Sequence, residues 1–400
     1  MSRQPVLRLV IAVTLAILFL VGGGCIVSTA VSEAPAATSV PQTVPIPEVG
    51  AYIGAYIGDL PASYPDSLLE VQAFECMTGR RLVIVNRFWA MTINGGQYAD
   101  FDWLNLADYF ADGRILMISW NPLDWNTTTL ENTPIYYQQI IDGQYDYVIR
   151  PAAQYATQFG HPMFIRWSWE MDGDWYPHNG PNAFGPDGTQ SWNIADDLYI
   201  HFGDPNIADG PERFVAAWRH IRTIFAEEGA DNVIWVWSPN WLSFPNVSLA
   251  PWNTLSAYYP GDDQVDWIGT SIYFRGDGGN EWLPFRDMLD HTFPGLSIAE
   301  FHALHPEKPA MIAEIGAAEK SDDDKPKAEW IKNTYGTEVK EYPYIKALLW
   351  FSVLKEEEGI DWRVNSSEAS LNAYRTAISD PYYLAQVTEC IFLPLINVMR

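Results

Sequence analysis

Basic residues are scarce in this sequence. Its 400 residues hold 24 Lys+Arg against 50 Asp+Glu, a formal net charge of −26. A surface that acidic repels phosphate backbones, which excludes nucleic-acid binding through a basic groove. Cysteine is scarcer still, with three in the chain. No Cys/His set stands at zinc-ligand spacing, and His302 and His305 sit three apart in a helix-like stretch without partners in the sequence around them. No metal is therefore expected. Phosphate-cradling glycine patterns are missing too: no G-x-G-x-x-G follows the first strand-like run, and no P-loop appears. Nothing thus points to a dinucleotide or nucleoside triphosphate as cofactor. Charged residues make up 18% of the chain and hydrophobic residues 48%, which excludes an acidic disordered polymer.

Aromatics are plentiful instead, with 18 Trp, 21 Tyr and 18 Phe. The first residues read as an address. Arg3 and Arg8 precede an apolar run, Leu9 to Val21, and then small residues up to Gly24, the pattern of an export signal over 1–24. The run is shorter than the roughly 20 residues a membrane span needs. Two processing routes stay open. Gly-Gly-Gly-Cys is similar to a bacterial lipoprotein box, in which a lipidated Cys25 would tether the chain to a membrane, whereas Ser28-Thr29-Ala30 offers ordinary cleavage. Either way the protein is expected outside the cytoplasm, secreted or held at the cell surface. Residues 25–47 are small, Pro-rich and almost uncharged, as in a linker. Export permits a disulfide between the two remaining cysteines, Cys76 and Cys390; two buried free thiols are the alternative.

The body alternates short apolar runs with longer mixed segments. The runs are Ala51–Ile57, Arg81–Phe88, Arg114–Trp120, Pro162–Trp169, Asn232–Ser238, Val265–Tyr273, Pro309–Ile315 and Ile345–Ser352. Near-continuous apolar character suits parallel strands buried on both faces. Between them Pro211–Glu228, Asp323–Thr334 and Ser367–Ile378 carry helical spacing. Eight strands alternating with helices predict an α/β fold, a (β/α)8 TIM barrel forming one catalytic domain over 48–385, followed by an apolar tail, 386–400. On that fold the helices that carry or precede Cys76 and Cys390 become neighbours, so the disulfide would pin the tail.

Chemistry on a barrel belongs where strands end at the C-terminal face. The fourth run ends Phe164-Ile165-Arg166-Trp167-Ser168-Trp169-Glu170, and period-two alternation puts Arg166, Ser168 and Glu170 on one face. Arginine inside a barrel layer calls for a carboxylate partner. The seventh run ends Ala313-Glu314-Ile315-Gly316, with Glu314 closing an otherwise apolar strand. Two carboxyls flanking one mouth are the constellation of glycoside hydrolysis, set about 5–5.5 Å apart when configuration is retained.

The string Arg166–Pro177, RWSWEMDGDWYP, resembles the acid/base motif of glycoside hydrolase family 26, a family of retaining (β/α)8 glycosidases best known for β-mannanases. Trp237–Asn240, Ile268–Tyr273, Glu314–Gly316, Trp350-Phe351 and Asp361–Val364 match in order, so the resemblance spans about 48–380. It implies Glu170 as general acid/base, Glu314 as nucleophile, Tyr273 as the group orienting the nucleophile, and Trp175 and Trp350 as subsite walls. It also implies an endo-acting enzyme on a polysaccharide, β-1,4-mannan first, with β-1,3-1,4-glucan or β-1,3-xylan as alternatives; the other class is a barrel that only binds glycans. Trp169 stands where the family usually has His, and Asp172 where Asn is common. The indole N–H of Trp169 would serve as donor in place of the His if a bulge turned the ring inward.

Trp89, Trp120, Asn240 and Trp241 are read as further walls of the cleft, and Trp218, Trp235 and Trp267 as packing between helices and sheet. The segment Asp172–Asp209 is long for a connection and is expected to contribute to the cleft. The acidic run 321–325 reads as a solvated turn. A monomer needing no cofactor is expected, since both proton transfer and nucleophilic attack come from carboxyls.

Overall fold

The eight apolar runs become eight parallel strands of one closed sheet. In the computed structural model, which describes residues 43–58, 68–193, 208–274, 283–319 and 325–387, they are β1 (Ala51–Ile57), β2 (Ile84–Ile93), β3 (Ile115–Trp125), β4 (Met163–Trp167), β5 (Val233–Trp237), β6 (Trp267–Phe274), β7 (Ala310–Ala317) and β8 (Ile345–Ser352). Each strand pairs with its sequence neighbour, β8 pairs with β1, and β1 meets β2 through Gly54 opposite Ile84 and Ala55 opposite Val85. That last pairing closes the barrel. It works because residue 54 has no side chain: a Cβ there would lie 2.5 Å from the Ile84 carbonyl oxygen and 2.7 Å from Leu349 Cγ.

Helices α1 (Leu68–Thr78), α2 (Leu106–Ala111), α3 (Tyr137–Ile141), α4 (Asp146–Phe159), α5 (Gly210–Glu227), α6 (Phe285–Leu289), α7 (Ile298–Leu304), α8 (Lys325–Gly336) and α9 (Glu368–Ile378) surround the sheet. The expected alternation lapses once: the described link from β5 to β6 holds only a short 3-10 turn, Leu255–Tyr258. Where helices form, their starts follow local chemistry. Ser367 caps α9 by accepting from Ser370 N, and Ser297 and Glu300 form a reciprocal capping box on α7.

Strand alternation divides the apolar residues into two cores. Tyr52, Ile84, Met117, Phe164, Val236 and Leu349 fill the barrel lumen, joined from below by Val44 and Val387. Val85, Trp120, Trp167, Trp235 and Trp350 point outward into a shell beneath the helices. Trp218 and Trp235 meet there edge to face at 5.7 Å, as expected. Trp267 does not: it starts β6 on the inner face and packs edge-on against Phe164 at 5.6 Å inside the lumen. His302 stacks on Tyr344 and bonds the Lys308 carbonyl, while His305 Nδ1 lies 2.9 Å from Asp262.

Helices α1 and α9 are neighbours, with Arg375 Nε donating to the Met77 carbonyl at 2.6 Å. Cys76 is exposed on α1, so a buried thiol is not its setting; Cys390 lies outside the described residues. The same holds for the signal segment, Cys25, most of the linker, residues 321–324 of the acidic run 321–325 and the tail beyond 387. Val44, grouped with the linker by composition, is buried. Among the described residues no helix is long and apolar enough to cross a membrane.

Candidate active site

The mouth is built by the layer of inward side chains at the strand ends. Register pairs Tyr56 with Phe351, Phe88 with Ser119, Ser119 with Arg166, and Ser271 with Glu314. Arg166 is fully buried, so its charge must be matched inside the protein. Its guanidinium donates to Glu314 Oε1 and, through the other terminal nitrogen, to Ser271 Oγ at 2.7 Å. Tyr273 donates its hydroxyl to Glu314 Oε2. Burial and the nearby Glu314 and Glu170 carboxylates hold that hydroxyl well above the usual tyrosine range, so it stays a donor. Both oxygens of Glu314 thereby accept from a side-chain donor.

Strict alternation would not bring Glu314 inside. Ile312 and Ile315 belong to the outer shell and Ala313 to the lumen. A register shift between the pairs Thr270–Ile312 and Ser271–Glu314 inserts one extra residue in β7. This bulge turns Glu314 to the same side as Ala313.

Glu170 reaches the mouth differently. β4 stops at Trp167, and the chain leaves it through two residues in the left-handed region, Ser168 (φ 45°) and Glu170 (φ 56°). Such backbone costs about 1–3 kcal/mol per residue and persists only where neighbours enforce it. Here Ser168 N–H donates to Trp120 O at 3.1 Å and Glu170 N–H to Ser238 O at 2.8 Å. Buried Asn179 bonds the carbonyls of Glu170 (2.7 Å) and Gly173 (3.0 Å). Trp175 then folds back across Gly173, where any Cβ would fall 2.2 Å from its ring, and its Nε1 donates to Glu170 Oε2 at 2.8 Å. Burial, followed by the Glu314 charge, pushes Glu170 up to about 7, against the opposing pull of Arg166, Ser271 and Trp175. Ser271 thus bonds both Arg166 and Glu170 and links the two carboxyls; the sequence marked it only by sharing a face with Tyr273.

Trp169 does turn inward, through the left-handed residues around it and not through a bulge. It lies 5.0 Å from Phe88 and 5.8 Å from Tyr176, with the Arg166 guanidinium 5.3 Å over its ring. Its indole N–H goes to the Tyr176 hydroxyl, so it does not stand in for the histidine donor. Asp172 is buried and braces the β5 loop: its carboxylate accepts from Asn240 N (2.8 Å) and Ser243 Oγ (2.9 Å). Burial raises it to about 6 despite these bonds. Asn240 sits at the mouth, half-buried, but its amide donates to Leu242 O at 2.8 Å within its own loop.

Three expected wall residues are not in the mouth. Trp89, Trp120 and Trp350 occupy the outward register positions of their strands. Trp89 donates to Ala99 O at 2.8 Å, Trp120 packs edge-on against Phe101 at 5.3 Å, and Trp350 donates to Trp362 O at 2.9 Å. Their inward neighbours Phe88, Ser119 and Phe351 are what the mouth presents. Phe351 stacks on Tyr56 at 5.3 Å, and Trp362 packs against Tyr273 at 4.9 Å. Trp241 packs against His291 at 6.0 Å in the β5 and β6 loops. The long segment after β4, described to residue 193, braces itself and the Glu170 turn through Asn179 and Asn182. Among the described residues no three His, Cys, Asp or Glu side chains are grouped to hold a metal ion.

No protein-family model matches the chain. Endoglucanase H of Acetivibrio thermocellus is 31% identical over 334 residues, which cover 82% of this chain and 30% of that protein. The chain thus spans under a third of the length of this curated relative. The family 26 β-mannanase of Bacteroides ovatus superposes with a TM-score of 0.53 at 16% identity, covering 85% of this chain and 91% of that one. A mannanase of Bacillus subtilis gives 0.52 at 18% identity, covering 84% and 87%. The (β/α)8 fold is therefore that of solved family 26 enzymes, and the resemblance read from the sequence is borne out at that level.

Proposed function

We propose that this chain is a retaining, endo-acting glycoside hydrolase of the family 26 type that cleaves a β-linked polysaccharide, β-1,4-mannan in the first instance. The observation that carries the reading is a contrast of environments. Glu314 has a guanidinium and a phenol on its two oxygens, while Glu170, beside it, is pushed up to about 7 by burial and by the Glu314 charge. Two carboxyls whose surroundings separate their protonation states are an acid and a nucleophile in waiting. Ionised Glu314 attacks the anomeric carbon as protonated Glu170 delivers its proton to the leaving glycosidic oxygen. The glycosidic bond breaks and a glycosyl ester forms on Glu314. Glu170, now a carboxylate, takes a proton from water; that water attacks the anomeric carbon, releases Glu314 and restores both groups. Trp175, half-exposed beside Glu170, offers the flat apolar face on which a sugar ring stacks. No cofactor enters any step.

A second reading has its own support: the 31% identical relative is named an endoglucanase, whereas the mannanase neighbours are 16–18% identical. Reducing ends released from mannan, mixed-linkage β-glucan, β-1,3-xylan and xylan decide between them. Release from mannan alone is the expected result, release from the glucan alone moves the assignment, and release from none leaves the glycan-binding barrel. The proposal includes export as a monomer, either cleaved at 28–30 and released or tethered through Cys25, tested by mass spectrometry of the mature amino terminus and by sedimentation.

A further inference from the structure

Lys327 stands in the first turn of α8, where the helix dipole disfavours a cation, and it is fully buried. A buried ammonium in that place needs acceptors for all three protons. It has them: Asp361 O at 3.2 Å, Arg363 O at 2.8 Å and Ser366 Oγ at 2.7 Å. The carbonyl between those two, Trp362 O, accepts from Trp350 Nε1 at 2.9 Å. Three successive carbonyls are therefore gripped from the shell side of the barrel. Beyond them, Ser366 donates to Glu319 just past the end of β7, and Ser367 Oγ donates to the same carboxylate at 2.8 Å. The ring of Trp362 is held 4.9 Å from Tyr273, whose hydroxyl meets Glu314. On the other side Gly316 leaves room for both rings, since a Cβ there would lie 3.1 Å from each.

We propose that Lys327 and Trp350, neither of which reaches the cleft, are positioning residues that clamp the 361–363 backbone so that Trp362 holds Tyr273 against Glu314. The inference rests on the reading of Glu314 as nucleophile. It gives a fully buried lysine and an outward-facing tryptophan a part in the reaction without contact with sugar. The alternative is that both merely stabilise the shell.

Kinetics on whichever glycan the wild type cleaves, with 19F spectra of protein carrying 5-fluorotryptophan, separate the two. Trp350→Phe keeps a buried ring and removes the N–H; it is expected to lower kcat about fivefold at unchanged KM, and Lys327→Met about 20-fold. In a Tyr273→Phe background both losses should shrink to within about twofold, because the path runs through that phenol. The Trp362 fluorine line, assigned by its absence in Trp362→Phe, should shift in both variants. If Lys327→Met fails to fold, Trp350→Phe carries the test alone. Losses undiminished in Tyr273→Phe, wild-type kcat in both variants, or an unmoved Trp362 line overturn the clamp. A wild type that cleaves nothing removes the functional reading instead, and the fluorine line then decides by itself whether the clamp exists.

Discussion

Arg166 and Glu314 lie 148 residues apart in the chain and side by side at the barrel mouth, each buried and each satisfying the other. Removing one partner of a buried ion pair leaves an uncompensated charge, which costs about 3–5 kcal/mol. Arg166→Met is expected to lower thermal stability by that order and to abolish hydrolysis. Denaturant unfolding at neutral pH checks the first expectation and reducing-end release the second.

Activity should fall on the alkaline side as Glu170 loses its proton. With Glu170 raised to about 7, the basic limb of kcat/KM is expected near pH 7. The same shift has a stability consequence of fixed sign. A carboxyl raised from 4.5 to about 7 by burial penalises the charged form, so the cost is absent below pH 4.5 and complete above pH 7. Glu170→Gln, which lacks that charge, should therefore melt higher than wild type at pH 8 and no higher near pH 4. It should also lose roughly 10²–10⁴-fold in rate on polysaccharide.

The Trp175 N–H supports the ionised form of Glu170. Trp175→Phe keeps a stacking ring and withdraws that donor, so the basic limb should move to higher pH. A pH–rate profile with an unmoved or lowered limb contradicts the geometry.

Asp172, raised to about 6 by burial, is charged at neutral pH in a setting that opposes charge. Asp172→Asn keeps an oxygen for the Asn240 N–H and leaves Ser243 a partner. It should be neutral or stabilising at pH 8, with the advantage gone below pH 4. Melting curves across that range check it.

Trp120→Ala should cost about 3–5 kcal/mol, as large-to-small changes in a packed core do, with KM unchanged in the folded fraction. Trp175→Ala should do the opposite, raising KM with little loss of stability, because its ring is half-exposed. Urea titrations and saturation curves on the two variants compare them directly.

The barrel was legible because buried parallel strands are written as apolar runs, and β1 and β8 coincide with Ala51–Ile57 and Ile345–Ser352. Glu170, Glu314, Arg166, Tyr273 and Trp175 were legible as polar or aromatic residues closing those runs. The failures share one cause. Trp89, Trp120 and Trp350 stand close to the ends of those runs too, but one register position away from the inner face, and composition cannot tell Trp350 from Phe351. Among the described residues half of the twelve bulkiest fully buried side chains are tryptophans of the outer shell, so the aromatic excess reports packing under the helices more than sugar binding. Ser271 went unread because a lone serine in an apolar strand looks the same whether it is idle or links an arginine to a glutamate.

The bulge in β7 makes the placement of Glu314 a matter of counting. Straightening β7 with all its residues kept would carry Glu314 toward the apolar shell and leave Arg166 facing an empty place, whereas deleting Ala313 would restore a regular strand with Ile312 and Glu314 still opposite Thr270 and Ser271. A one-residue gap at Ala313 in an otherwise matching β7 would therefore leave a relative's glutamate still facing its arginine.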